Sequence, residues 1–157
     1  MPTSGTPKLE IAIEMLERGI ELYLRGDSYH SALHLAGAAE ELLNVYARSM
    51  VLPDGARLAP SLDQLKAALV AGLTPKTDQE ILRAEKWAHD RLTDPRNSVK
   101  HMRGTGDTHY IYDSEQEAKD LIDRTVTTYL QVNLQLGHRL VTLIAAFDRA
   151  THGASEA

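Results

Sequence analysis

The sequence predicts an all-α fold, a single antiparallel bundle of four to six helices over residues 8–150. In several segments the apolar residues recur every three or four positions, as in amphipathic helices. No segment has the strict apolar and polar alternation of a half-buried strand, and no repeat of fixed length is visible. The length of 157 residues, 43% of them apolar, suits one domain. Residues 1–7 are expected to be disordered and residues 151–157 to fray.

The first two helices are predicted from apolar spacing and from small residues. Gly26 ends the first helix, and the second runs over about residues 28–49. Small residues over 36–39 allow a neighbouring helix to approach closely, and Glu40 falls at the margin of the apolar face. The apolar side chains of the first helix are Leu9, Ile13, Leu16, Ile20 and Tyr23.

Two further helices are predicted in the middle of the chain. Residues 61–71 form the third, with Ser61 as its N-cap, and residues 77–92 form the fourth. Asp94 and Pro95 then end the fourth helix and start another, because Asp is a good N-cap and Pro suits the first helical position. The residues expected on or near the inner surface of the fourth helix are Ile81, Leu82, Ala84, Trp87, Ala88 and Leu92.

The last helix begins near Ser114, after a loop over residues 104–107 and a short extended stretch over residues 108–112. An unbroken helix from there to Arg149 would be about 54 Å long, since each residue adds about 1.5 Å. We therefore expect a bend or a break at Gly137. Its apolar side chains are Ala118, Ile122, Tyr129, Leu136, Leu140, Leu143, Ile144 and Phe147.

Composition excludes several classes of protein. The chain has no cysteine, which removes disulfide scaffolds, thiolate metal sites and cysteine nucleophiles. No apolar run is long enough to span a membrane, and residues 1–7 lack the features of a signal peptide. We expect a soluble, cytoplasmic protein. The net charge of −5 argues against a surface that is basic throughout, although a local basic patch is compatible with it.

Positive charge is concentrated in residues 91–103, where four cations accompany a single acidic residue. The predicted restart of the helix puts Arg96 and Lys100 on one face of its first two turns, and Asn97 and His101 on the adjacent face. A helix N-terminus already favours a bound phosphate through its free N–H groups and its dipole. The four cations are Arg91, Arg96, Lys100 and Arg103.

The stretch Arg96-Asn97-Ser98-Val99-Lys100-His101 resembles the Arg-x(4–6)-His signature of the HEPN superfamily, the higher eukaryote and prokaryote nucleotide-binding domains. In that signature a polar residue commonly follows the arginine. The segment AGAAEELL, residues 36–43, is similar to the second helix of several bacterial members. The resemblance implies a helical bundle that pairs into a homodimer, so that two Arg/His sets meet in one cleft. Many such proteins are metal-independent ribonucleases of toxin or defence systems.

The residues permit a specific reaction, RNA cleavage by the 2′-oxygen. His101 can take a proton from the ribose 2′-hydroxyl or deliver one to the leaving 5′-oxygen. Arg96 can bind the non-bridging phosphate oxygens, Asn97 can orient the phosphate or the imidazole, and Lys100 adds attraction. The predicted products are a 2′,3′-cyclic phosphate and a 5′-hydroxyl, without magnesium or another cofactor. Candidate supporting residues are Arg103, for substrate binding, and Glu40, to hold Arg96 in place.

Other functions fit the same residues. A non-catalytic nucleotide-binding or interaction module is the main alternative, serving a nucleotidyltransferase or an antitoxin partner. A purely structural helical dimer is a third. For Arg96 and His101 themselves, the structural alternative is an exposed helix start whose arginine pairs with the acidic segment at residues 113–123.

Two further groups of residues allow chemistry of their own. His30 and His34 lie four apart on the second helix with Glu41 beyond them, a spacing that can bind a metal if another helix or subunit adds a ligand. We favour a polar face or a dimer contact there. The aromatic residues after the glycine loop can stack on a base, although packing is the simpler explanation. They are His109, Tyr110 and Tyr112.

Overall fold

The computed structural model describes residues 5–137 and 141–153 of the chain. The predicted all-α class is confirmed, because the described residues form helices and loops without a β-strand. Six helices are present in them, within the predicted range of four to six. They are α1 (Lys8–Arg25), α2 (Tyr29–Ser49), α3 (Ser61–Gly72), α4 (Asp78–Ser98), α5 (Ser114–Leu136) and α6 (Leu143–Thr151).

Helices α1 and α2 form a tight hairpin. Gly26 ends α1 in the left-handed conformation, with φ 67°, and its N–H donates to the carbonyl of Tyr23. Gly19 lets the two helices approach, because a Cβ there would lie 3.3 Å from the carbonyl oxygen of Ala32. The predicted end of the first helix and the predicted close approach along the second are both confirmed.

The hydrophobic core lies between α1, α2 and α5 and is closed by α6. Its largest fully buried side chains include Tyr129 on α5 and Phe147 on α6. The ring of Phe147 meets Tyr23 edge to face, with centroids 5.3 Å apart. This arrangement leaves α3 and α4 to one side of the core.

Helices α3 and α4 pack on each other and add little to the core. Leu62 is the only side chain of α3 that is buried among the described residues, and α4 buries the small Ala84 and Ala88. The expectation that Leu82 and Trp87 lie on an inner surface is wrong, since Leu82 is 66% exposed and Trp87 is 49% exposed. Ile81 is exposed as well. No helix of the described residues covers the outer faces of this pair, which expose Leu65, Leu82 and Trp87.

Helix α4 continues through Pro95, so the predicted break and restart at Asp94 is wrong. The helix begins instead with a capping box, in which Thr77 and Glu80 each accept a hydrogen bond from the other's backbone. Proline costs the helix one hydrogen bond, but here it falls in the last turn and is buried. Glu40 of α2 binds Arg96 and Arg124 of α5 donates to the carbonyl of Leu92, and these contacts outweigh the local preference for a break.

The remaining boundaries mostly follow the sequence. Helix α5 ends at Gly137, which is left-handed with φ 64°, and α6 starts at Leu143, so the predicted break is confirmed. Ser61 is the first residue of α3 and not its N-cap, and its N–H donates to Thr128 Oγ1 at 2.9 Å. Residues 108–112 form no strand.

Some predictions fall partly outside the described residues. Leu140 lies outside them, as do residues 1–4 and 154–157 of the expected disordered and fraying ends. Within the described C-terminal part, α6 extends to Thr151 and His152 Nε2 lies 3.1 Å from Asp123. Across the described ranges, no helix combines the length and the apolar content that crossing a bilayer requires.

Candidate functional site

The residues of the predicted signature lie at the C-terminal end of α4, not at a helix N-terminus. Arg96 and Asn97 are in the last turn of the helix, and Lys100 and His101 follow it. The carbonyl of Asn97 accepts hydrogen bonds from the N–H of Lys100 at 3.1 Å and of His101 at 3.0 Å. Asn97 therefore positions His101 through its main chain. A helix C-terminus carries a partial negative charge, so this end favours the cations themselves and does not add to phosphate binding.

A buried ion cluster fixes Arg96. Glu40 is fully buried, which corrects its expected place at the margin of the apolar face, and it accepts a hydrogen bond from Arg96 Nη1. The expected contact between Glu40 and Arg96 is thus present, and the alternative pairing of Arg96 with residues 113–123 is wrong. Arg96 itself is only 8% exposed.

Arg124 on α5 is the second partner of Glu40, and the sequence reasoning missed it. Its Nε donates to Glu40, and its Nη2 lies 3.2 Å from Glu40 Oε2 and 3.1 Å from the carbonyl of Leu92. Arg124 occupies a helical position between Leu121 and Thr128, both buried. A cation on an otherwise buried face requires a buried acid, and that signal could have linked Arg124 to Glu40.

The cluster has unequal charge, because two guanidinium groups share one buried carboxylate. Arg96 Nε is buried and makes no hydrogen bond within the described structure. Glu41 also approaches it, with Oε1 3.9 Å from this nitrogen and a side chain that is 50% exposed. The same oxygen accepts a hydrogen bond from Lys100 Nζ at 2.7 Å. An exposed carboxylate thus lies between two cations, in the position that an anionic ligand would take.

The other two cations of the basic segment are also paired. Arg103 Nη2 lies 2.6 Å from Asp94 Oδ1, and this hydrogen bond raises the pKa of Arg103. Arg91 Nη1 lies 3.6 Å from Glu117 Oε1. Burial raises the pKa of Glu117, although Arg91 acts in the opposite direction. The segment is therefore not a free basic patch, and a bound phosphate must compete with carboxylates.

An open groove of about 520 Å³ adjoins these residues. Its lining includes Lys100, His101, His109 and Tyr110, whereas Arg96 does not reach it. The volume falls within the range of small-ligand sites, about 300–1,000 Å³. The structure therefore brings Lys100 and His101 together at one surface and keeps Arg96 behind them.

Tyr110, which lines the groove, contacts two further rings outside its lining. Its ring centroid lies 5.0 Å from that of His30 and 5.2 Å from that of Tyr112. Its hydroxyl is buried and has no hydrogen-bond partner among the described residues. Burial, and secondarily the negative charge of Glu117, raise the pKa of Tyr110 to about 12. His30 thus has an aromatic contact, and His34 is exposed.

The spacing of His30 and His34 allows a metal site only if another helix or subunit adds a ligand. In the described part of the chain, no three His, Asp or Glu side chains are grouped so that they could hold a metal ion.

In comparisons with known proteins, no family model matches the chain, and no significant match to a curated protein or a solved structure is found. The likeness to the HEPN superfamily therefore rests on the residues quoted above, and the functional argument rests on the site itself.

Proposed function

We propose that this chain is an HEPN-like, metal-independent endoribonuclease that works as a homodimer, with Arg96, Lys100 and His101 at its site. The observation that supports this most directly is the position of Glu41. Its carboxylate lies between Lys100 Nζ and Arg96 Nε, at 2.7 and 3.9 Å, beside a groove lined by His101. A phosphodiester that replaced this carboxylate would meet two cations with a titratable imidazole nearby.

Exchange of the carboxylate for a phosphate is energetically feasible. Surface ion pairs contribute about 0–1 kcal/mol. Glu41 is half exposed and Lys100 is 13% exposed, so moving the Glu41 side chain away costs about 1 kcal/mol, the upper end of that range. Removing it gives an incoming phosphate access to Lys100 and to the unpaired Nε of Arg96. Hydrogen bonds between charged partners are about twice as strong as neutral ones, which favours this replacement.

His101 carries the chemistry in this proposal. Its side chain is exposed, and an imidazole can either accept or donate a proton. Cleavage by the 2′-oxygen requires one group that accepts a proton and one that donates it. In a homodimer the second copy of His101 supplies the other group. Arg96 and Lys100 offset the negative charge that builds up on the phosphate, and Asn97 holds the turn.

The test is cleavage of a labelled single-stranded RNA by purified protein in EDTA. We expect fragments that end in a 2′,3′-cyclic phosphate, and a loss of at least 100-fold in rate for His101→Gln. His34→Gln is the matched control, since His34 is an exposed histidine outside the groove. Absence of cleavage, or equal rates for wild type and His101→Gln, would overturn the proposal. Because Arg96 is buried, Arg96→Lys is preferable to Arg96→Ala, and its thermal stability must be measured in parallel.

Glu41→Gln tests the phosphate position separately. The substitution removes the competing charge while leaving Lys100 in place, and we expect RNA to bind up to about fivefold more tightly, the equivalent of about 1 kcal/mol. Glu14→Gln, at an exposed position on α1, is the control for the loss of one negative charge from the whole chain. Equal affinity gains in both variants would mean that Glu41 has no special position. Binding is measured by fluorescence anisotropy at a fixed salt concentration.

A second candidate function has one observation in its favour, the burial of Arg96. In this candidate, Arg96 only stabilises the fold, because Glu40 holds it in the interior. The chain would then be a non-catalytic nucleotide-binding or interaction module, for a nucleotidyltransferase or an antitoxin partner. A thermal-shift screen with nucleotides detects such binding, because a ligand of the folded state raises its apparent stability. Light scattering after size exclusion tests the homodimer that both candidates include.

A further inference from the structure

The groove beside the end of α4 contains a second imidazole, that of His109. It is eight residues after His101 in the chain, yet both rings line the same groove of about 520 Å³, together with Lys100. Neither histidine belongs to the buried ion cluster, and both are exposed. One chain therefore presents two titratable rings and a cation at a single surface.

The loop between the two histidines is closed by its own hydrogen bonds. The N–H of Arg103 donates to Asp107 Oδ2 at 2.8 Å, and the N–H of Asp107 donates to the carbonyl of Gly104 at 3.1 Å. Gly104 has φ 130°, a backbone conformation that residues other than glycine rarely adopt. These contacts return the chain so that residues 107–110 lie along the same groove as residues 98–102.

The ring of His109 is also fixed. Thr108 Oγ1 lies 2.7 Å from His109 Nδ1, within hydrogen-bond distance. The other ring nitrogen, Nε2, has no hydrogen-bond partner among the described residues and remains for a ligand. The hydroxyl can donate to Nδ1 or accept from it, so the contact orients the ring in either tautomer and leaves Nε2 for proton transfer.

We propose that His109 is the second proton-transfer residue of the site, so that one chain holds both the acid and the base for RNA cleavage. This inference rests on the proposed ribonuclease function, but it replaces the second copy of His101 by a residue of the same chain. Dimerisation would then serve stability or regulation instead of completing the site.

The reaction balances without a metal or another reactant. One imidazole takes the proton of the ribose 2′-hydroxyl while the 2′-oxygen forms a bond to phosphorus. The bond between phosphorus and the 5′-oxygen breaks, and the other ring, starting as imidazolium, gives its proton to that oxygen. The products are a 2′,3′-cyclic phosphate and a 5′-hydroxyl, and proton exchange with water restores both rings. Lys100 offsets the negative charge of the phosphorane.

The same groove suits the base of a single-stranded RNA. A smaller cavity of about 150 Å³ shares His109 and Tyr110 with it and adds Tyr112. Aromatic rings stack on bases with little sequence preference, at about 1–3 kcal/mol per base. Single-stranded RNA is therefore the substrate class that we expect, because in a duplex the bases are already stacked on each other.

The first test compares His109→Gln and His101→Gln on a single-stranded oligoribonucleotide in EDTA. Each is expected to lower kcat by about 10²- to 10⁴-fold. His34→Gln and His89→Gln, at exposed helical positions outside the groove, are expected to stay within threefold of wild type. Melting temperatures verify that every variant is folded. If His101→Gln is inactive but His109→Gln matches wild type, this inference fails and the proposed function stands. If wild type does not cleave, both fail.

Two further experiments separate the roles. An RNA with sulfur in place of the leaving 5′-oxygen does not need an acid, so it should restore cleavage in one of the two variants and not in the other. Restoration in neither would overturn the assignment. Mixed dimers, made by refolding the two variants together from urea, should remain inactive, because each chain lacks one imidazole. Recovery of activity in the mixture would show that the two histidines act across subunits, and it would overturn the single-chain site.

Discussion

Glu40→Gln is the most informative change in the fold, because it removes the charge of the buried cluster and keeps the shape of the side chain. Glu40 is fully buried, and it holds the guanidinium groups of Arg96 and Arg124, which are 8% and 7% exposed. In the variant, two buried cations lose their only shared carboxylate. The amide keeps one acceptor oxygen, but its nitrogen is a donor and would face an arginine N–H, because Arg96 and Arg124 bind different oxygens of Glu40. It also carries no charge to offset theirs.

The expected loss of stability is large. Removing one partner of a buried ion pair costs about 3–5 kcal/mol, because the remaining charge stays in a poorly solvated place. The free energy of unfolding of a typical domain is about 5–15 kcal/mol, so the variant should be folded but much less stable. For a chain of this length each kcal/mol lowers the melting temperature by about 2–4 °C, and the total decrease is about 6–20 °C.

Urea unfolding followed by circular dichroism measures this change. Glu41→Gln is the matched control, since it alters the next residue, which is half exposed and pairs with Lys100 at the surface. We expect the control to lose no more than about 1 kcal/mol. A loss below about 1 kcal/mol for Glu40→Gln as well would mean that the two arginines do not depend on this carboxylate, and the account of the cluster would be wrong.

Three other predictions test neighbouring features. Gly37→Ala should destabilise the fold by about 1 kcal/mol in urea unfolding, because its new Cβ would lie 3.1 Å from Arg96 Cβ. This crowding outweighs the gain in helix propensity, and unchanged stability would contradict that packing. Thr77→Ala should cost about 1 kcal/mol by the same method, since it removes the cap of α4. The free energy of unfolding should fall between pH 10 and about 12, because the folded state keeps the phenol of Tyr110 protonated to a higher pH than the unfolded state does. Tyr110→Phe should remove this part of the fall and, since the hydroxyl has no partner, should not lower stability at pH 7.

The helices that pack around the core were predictable because local signals and tertiary packing agree there. Gly26 and Gly137 both adopt the left-handed conformation that ends a helix, and both ends were predicted from the sequence. Asp113 accepts hydrogen bonds from the backbone N–H groups of Glu115 and Gln116, which fixes the start of α5 near the predicted Ser114.

The end of α4 was not predictable from local signals, because they conflict with tertiary contacts. Asp94 followed by Pro95 is a good start for a helix, yet the chain there is already helical and stays so. Arg124 donates to the carbonyl of Leu92, and Arg96 is bound to Glu40, so α2 and α5 hold this turn in place. Contacts between residues 32 or more positions apart leave no mark in a short window of sequence.

The burial of Glu40 and the exposure of Trp87 have a related cause. Helical projection assigns residues to faces by hydrophobicity, and it places Glu40 at the margin of its helix's apolar face and Trp87 on an inner surface. Which face is covered depends on the neighbours, and among the described helices α4 packs mainly against α3. The aromatic ring therefore remains half exposed, whereas the carboxylate is enclosed by two arginines from other helices.

Whether a candidate side chain is buried or exposed decides whether its substitution can test function separately from stability. Arg96 contributes to the fold through Glu40, so a loss of activity in an Arg96 variant does not by itself separate a catalytic role from a structural one. His101 and His109 are exposed and lie in the groove, so their loss should affect turnover and leave the melting temperature unchanged. A phosphate that enters the groove meets Lys100 and the two rings first, and it reaches Arg96 only after the side chain of Glu41 moves. Activity that depends on both histidines but survives Arg96→Lys would therefore assign the chemistry to the groove and the arginine to its support.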